Sequence, residues 1–219
     1  MMNAYIFNKG LQAYNSIFKK QGENPKSLFS KGNVDLHAAM KNSYARPKDQ
    51  KTFGIEQGYS YDPELSNDNQ QVYWNPESKK LLFSVTGTHN LSDIGTDIKL
   101  MTSGVESTQR YREANRTLAK AKAKYSPEET TAYGTSLGGS IVSKLKDVDR
   151  KVTLNKAHLP FEKTGKREQA IRSSGDIVSV FATGGKHVHT IAKGDLTNPA
   201  TWLNAHNSDS IKGKGYFIG

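Results

Sequence analysis

Between Thr130 and Val148 the sequence passes from a run of β-formers through G-T-S-L-G-G-S, Gly134 to Ser140, into an apolar segment carrying Ile141, Val142 and Leu145. A strand over Thr130 to Tyr133 joined by so short a turn to a helix from Ser140 to about Val148 forces the helix back across the sheet that holds the strand. That commits the surrounding chain to a layered α/β arrangement. The turn alone says less about chemistry. Gly, Ser and Thr are ordinary residues at a helix entrance, because small polar side chains cap free N–H groups and glycine accepts unusual dihedrals.

The flanking sequence repeats the alternation. Gln71 to Trp74 and Lys80 to Thr86 read as strands on either side of an Asn75-Pro76 turn, the second ending at Gly87. Asp93 to Met101 fits a short helix. Thr108 to Tyr125 fits a longer one, with Tyr111, Ala114, Leu118, Ala121 and Tyr125 at three- and four-residue steps and Arg110, Arg112, Arg116, Lys120 and Lys124 on a solvated face. Further strands are expected at Val152 to Ala157, at Gln169 to Ser173 with Ile177 to Phe181, and at His187 to Ala192. Ahead of all this, Asn3 to Lys20 has helical spacing. Residues 21–68 are irregular apart from a turn of helix at Val34 to Asn42. The expected architecture is a mostly parallel sheet flanked by helices in one compact domain: residues 1–70 as an N-terminal helix and wrapping segment of that domain, residues 71–219 as its core.

Bulk properties narrow the options. A chain of 219 residues is long enough to bury a real core in one unit. The absence of cysteine removes disulfides, thiolate metal sites and a Cys nucleophile together. No apolar run approaches the ~20 residues of a membrane helix, and the first residues lack the apolar core and small-residue site of a cleaved leader. The expectation is a soluble protein without a conventional signal peptide, intracellular or released by another route. The formal charge of +10 suits an anionic membrane surface, nucleic acid or plain solubility. Solubility is the default reading. Nucleic-acid binding has only faint support, from R-Y-R at Arg110 to Arg112 and K-G-K-G-Y-F at Lys212 to Phe217.

Within this frame Gly134-Thr135-Ser136-Leu137-Gly138 fits a nucleophile elbow, G-x-S-x-G, in which a strand turns sharply at a serine and the departing helix aims its N-terminus at the reacting oxygen. A serine hydroxyl reacts at neutral pH only if an imidazole, oriented by a carboxylate, takes its proton. The chain order Ser, acid, His is met by Ser136, Asp176 in S-S-G-D-I-V and His206 in A-H-N-S-D-S-I. The N–H of Leu137 supplies one oxyanion donor, and the segment Thr86-Gly87-Thr88 is placed to supply another. Asp195 is the alternative acid. His187 and His189 share a strand face without a third obvious ligand, which argues against a metal. His89 follows the oxyanion segment, and His37 and His158 have no supporting context. Asp93 and Asp97 suit a helix start after Ser92. The turn lacks the G-K-[ST] ending of a phosphate loop, and neither metal nor cofactor is expected.

Five ordered segments then resemble the class 3 lipases of the α/β-hydrolase fold. They are V-T-G-T followed by S-D-I-G-T-D-I, Y-S-P-E before the strand, G-T-S-L-G-G, S-G-D-I-V and A-H-N-S-D-S-I, spanning about Val72 to Ile211. The resemblance implies Ser136 as nucleophile, Asp176 as acid, His206 as base, Thr88 and Leu137 as oxyanion donors, and a lipid or phospholipid ester as substrate. The sequence departs from the family at Thr135, where the family carries His, and at Leu154 to His158, which lacks the usual glycine and proline. It is also short, with little material for a large apolar lid. Two other readings stand beside this one: a hydrolase fold retired to a binding or structural role, and a basic nucleic-acid-associated protein.

Overall fold

The computed structural model describes residues 32–45, 48–49, 57–88, 104–157, 164–176, 178–179, 188–191, 193–195, 197–198 and 201–219. The helices expected at Asn3 to Lys20 and Asp93 to Met101 lie outside them. Strand β1 (Val34–Asp35) leads into helix α1 (Leu36–Ser43), where the Asp35 carboxylate caps the Ala38 N–H at 2.8 Å. Next come β2 (Ser60–Tyr61), β3 (Gln70–Asn75) and β4 (Lys80–Val85). The β3–β4 turn is held by Asn75 Oδ1, which accepts from the N–H groups of Glu77 and Ser78 at 3.1 and 3.0 Å.

After a 3₁₀ turn at Val105–Ser107, helix α2 (Gln109–Tyr125) starts at the Thr108 cap and stops at Ser126, in the left-handed region just before Pro127. Strand β5 (Glu129–Thr135), helix α3 (Leu137–Lys144), β6 (Arg150–Leu154), β7 (Glu168–Ser173) and β8 (Val188–Ile191) follow. The chain then forms helix α4 (Trp202–His206), a 3₁₀ turn at Ser208–Ile211 and β9 (Phe217–Ile218).

Seven strands form one sheet in the order β2-β3-β4-β5-β6-β7-β8, antiparallel from β2 to β4 and parallel from β4 to β8. Both faces are covered, so the strands alternate between two apolar layers. Leu81, Phe83 and Val85 face α2 and α3, where Tyr111, Ala114, Leu118, Ile141 and Val142 complete one cluster. Leu82, Tyr73 and Tyr133 face the opposite layer with Leu36, Met40 and Ile218. Each large aliphatic side chain buried in these layers contributes about 1.5–3 kcal/mol. The sheet β1–β9 ties residues 34–35 to residues 217–218 on that second layer.

Several element boundaries differ from those the sequence suggests. Helix α3 begins at Leu137, not Ser140, because Gly138 and Gly139 lie inside its first turn. It stops at Lys144, short of Val148: Leu145 is extended (ψ 142), and Lys151 Nζ donates to the carbonyls of Ser143 and Leu145 at the helix end. Strand β6 ends at Leu154 because Asn155 adopts φ 46. Of the strand expected at Ile177 to Phe181, only Val178 and Ser179 are described, and their N–H groups bond to the Asp176 carboxylate; Ile177, Val180 and Phe181 lie outside the described residues. His206 sits at the end of α4, where the sequence suggests only a loop.

Candidate active site

Strand β5 delivers Ser136 into φ 54, ψ −127, a conformation that costs a non-glycine residue on the order of 1–3 kcal/mol. The surroundings hold it there. Ser136 N–H donates to Leu154 O at 3.1 Å, and Ser136 O accepts the Ser140 N–H at 3.1 Å as the first bond of α3. The helix can start this close to the sheet because position 138 is glycine: a Cβ there would collide with the carbonyl oxygen of Val85 and lie 2.7 Å from the Thr86 carbonyl carbon. Leu137 N–H belongs to the first turn of α3 and has no acceptor within the helix.

Parallel pairing places the carboxyl ends of β5, β6 and β7 side by side, and Asp176 stands in the turn just beyond β7. Its carboxylate is fully buried. Oδ1 accepts from Val178 N–H at 3.0 Å, while Oδ2 accepts from Ser179 N–H at 3.2 Å and Ser179 Oγ at 2.6 Å. His206 Nδ1 meets Asp176 Oδ1 at 2.9 Å. With a carboxylate as acceptor, Nδ1 carries the hydrogen and the Nε2 lone pair is left for a proton. Nε2 is buried and has no hydrogen-bond partner among the described residues.

Two residues outside the sequence-based set hold this pair in place. Asn155, fully buried, donates through Nδ2 to the carbonyls of Ala205 and His206 at 2.9 and 3.0 Å, and its Oδ1 accepts Ser173 N–H at 2.7 Å. It therefore joins β7 to the helix that carries His206. Arg172, also fully buried, donates from Nη1 to Ser179 O at 3.4 Å. Burial draws its pKa down to about 10, and the charge of Asp176 opposes that shift.

Ser136 and His206 line one cavity of about 260 Å³, together with Lys41, Tyr44, Thr88, Thr135, Asn207 and Ser208. Tyr44, just past α1, is a second kind of residue the sequence did not single out. Its hydroxyl accepts Gly87 N–H at 3.1 Å and bonds to the Thr135 side chain, at the position where the resemblance leads one to expect His. Burial, the largest influence, pushes the phenol up to about 12 against the Gly87 bond and the charge of Arg110, so it stays neutral at working pH. Gly87 must lack a side chain, since a Cβ would collide with the Tyr44 hydroxyl and lie 3.2 Å from Ser136 Cβ. Thr88 follows immediately and borders the cavity.

The competing candidates fall elsewhere. Asp195 closes an exposed turn through Thr197 N–H and Oγ1 at 2.8 and 2.7 Å. His189 lies on β8, edge-on to the Tyr216 ring at 5.6 Å, and His37 Nε2 meets Asp209 at 2.8 Å. His89, His158, His187, Asp93 and Asp97 lie outside the described residues. Among the described residues no cluster of three or more His, Asp or Glu could hold a metal, and no helix is long and apolar enough to cross a membrane.

No protein-family model matches the sequence, and no curated protein matches it either. Similarity emerges in three dimensions. A lipase–propeptide complex from Rhizomucor miehei superposes with a TM-score of 0.51 at 12% identity, covering 94% of this chain and 94% of that one. Lip2 lipase from Yarrowia lipolytica gives 0.43 at 16% identity, over 84% of this chain and 79% of that chain. A triacylglycerol lipase from Penicillium expansum gives 0.39 at 14% identity, over 74% and 83% respectively. The Rhizomucor superposition spans nearly all of both chains, and the chain has the α/β-hydrolase-like fold of that lipase.

Proposed function

We propose that this protein is a serine ester hydrolase working through Ser136, His206 and Asp176. His206 Nε2 takes the Ser136 proton as Oγ attacks the ester carbonyl carbon. The tetrahedral oxyanion is held by the Leu137 N–H and by Thr88, in the direction of the α3 dipole. Asp176 stabilises the imidazolium. Collapse breaks the bond to the leaving alcohol, which takes the proton from His206 and leaves an acyl-enzyme. Water then attacks the acyl carbon, gives its proton to His206, and Ser136 departs with that proton as the acid is released.

The observation that carries this reading is the convergence of a serine in a strained strand-to-helix turn with a buried His206–Asp176 pair at 2.9 Å on one cavity. Lipid-type esters are the substrate class the lipase resemblance suggests. The net charge of +10 favours approach to anionic surfaces that present them. The segment before residue 70 belongs to the same unit in this account, supported by β1–β9 pairing and by Lys41 and Tyr44 at the cavity. Steady-state hydrolysis of p-nitrophenyl butyrate tests the roles. Ser136→Ala and His206→Ala should each lower kcat at least about 1,000-fold, and His189→Ala should leave it near wild type. Equal losses in the two histidine variants would overturn the assignment of the base.

A further inference from the structure

Resting on the hydrolase reading, we propose that Ser179 is a positioning residue for the reaction: its buried hydroxyl completes the donors on Asp176 and so limits how much negative charge the carboxylate offers His206. The turn after β7 needs only backbone donors. Val178 N–H on Oδ1 at 3.0 Å and Ser179 N–H on Oδ2 at 3.2 Å close it around the carboxylate, whatever side chain stands at 179. The hydroxyl adds a bond the turn does not require. Ser179 Oγ lies 2.6 Å from Oδ2, closer than His206 Nδ1 lies to Oδ1 at 2.9 Å and inside the range of about 2.5–2.7 Å typical of a hydroxyl on a carboxylate.

Four donors thus share one acid. Val178 N–H and His206 Nδ1–H meet Oδ1, while the Ser179 N–H and hydroxyl meet Oδ2. A carboxylate has about four lone-pair sites, so these donors fill them, and both Asp176 and Ser179 are shielded from water. Charge drawn toward Oδ2 by the hydroxyl is charge withheld from Oδ1 and the imidazole. Arg172 steadies the donor from the other side, with Nη1 on Ser179 O at 3.4 Å. Ser179 stands outside the cavity and reaches the reaction only through Asp176. Charged and titratable groups on the elements packed around the pair are Arg172 on β7, His189 on β8, Lys41 on α1, Lys193 and Asp195 beyond β8, and Asp209, which His37 binds. A change at Ser179 leaves all of them in place.

The test is the pH profile of kcat/KM for p-nitrophenyl butyrate, followed at the isosbestic wavelength of p-nitrophenol. Ser179→Ala removes the hydroxyl and keeps the N–H. The carboxylate then presents more negative charge to the imidazole, which holds its proton to higher pH, and a protonated His206 cannot take the Ser136 proton. The acid limb should move up by about one pH unit, a roughly tenfold loss of kcat/KM on the acid side, with KM at the plateau unchanged. Ser179→Thr, which keeps a hydroxyl, should hold the wild-type limb. Ser179→Cys, a much weaker donor of similar size, should shift the limb in the same direction as Ser179→Ala and carries the test if the alanine variant does not fold. A folded Ala or Cys variant with the wild-type limb, or a loss of activity equal at every pH, overturns the proposal and leaves the hydrolase reading intact. Folded wild-type protein that does not hydrolyse the ester at any pH overturns the hydrolase reading instead.

Discussion

From the end of β6, the carboxamide of Asn155 bonds to two other chain segments at once: Ser173 on β7, and the carbonyls of Ala205 and His206. Asn155→Ala leaves the Ser173 N–H and two buried carbonyls without these partners. It should cost about 3 kcal/mol in urea unfolding, and it should lower kcat more than it raises KM because His206 loses its backbone anchor. A fully stable variant with wild-type kcat would contradict the role given to Asn155. Ser136, Asp176 and His206 were legible as candidates because each belongs to a short motif in the right order. Asn155 was not, since a lone polar residue after a strand signals only a turn. Tyr44 was hidden differently: it follows an amphipathic stretch too short to stand out, and its contact with Thr135 joins residues far apart in the chain.

Elements set the precision of the site through close approaches that composition does not reveal. Helix α3 rests on β4 at Gly138, and beside it Gly139 packs against Lys156, whose Nζ meets Glu168 Oε1 at 2.6 Å with both side chains buried. Thr153 Oγ1 donates to the same oxygen at 3.0 Å. Removing one charge of such a pair leaves the other uncompensated inside the protein. Glu168→Gln should therefore destabilise by about 3–5 kcal/mol, whereas the double variant Lys156→Met with Glu168→Leu should recover most of that loss. Equilibrium unfolding checks both, and a single variant as stable as the double would contradict it. The sequence exposed the stripes of α2 and the β3–β4 hairpin, whose periods persist over several residues. It misplaced the start of α3 because glycine reads as turn chemistry, although here it serves contact between helix and sheet. The outer strand β2 is two residues long and leaves no period to read.

At the scale of the whole molecule, the parallel register from β4 to β8 gathers Thr86 to Thr88, the Ser136 turn and the Asp176 turn along one sheet edge, while α1 and α4 bring Lys41, Tyr44 and His206 from distant parts of the chain. Ligand sites at the carboxyl ends of strands are the general habit of α/β sheets. The class of architecture was readable from the alternation of strands and helices. The presence of Lys41 and Tyr44 at the cavity was not, because α1 lies ahead of the segments that carry the lipase resemblance. The central claim is that Ser136 is an activated nucleophile. Mass spectrometry of the intact protein after reaction with a fluorophosphonate tests it most directly. The account predicts one adduct, mapped to the peptide containing Ser136 and absent from folded Ser136→Ala; folded wild-type protein that gains no mass, or gains it at another residue, would contradict it.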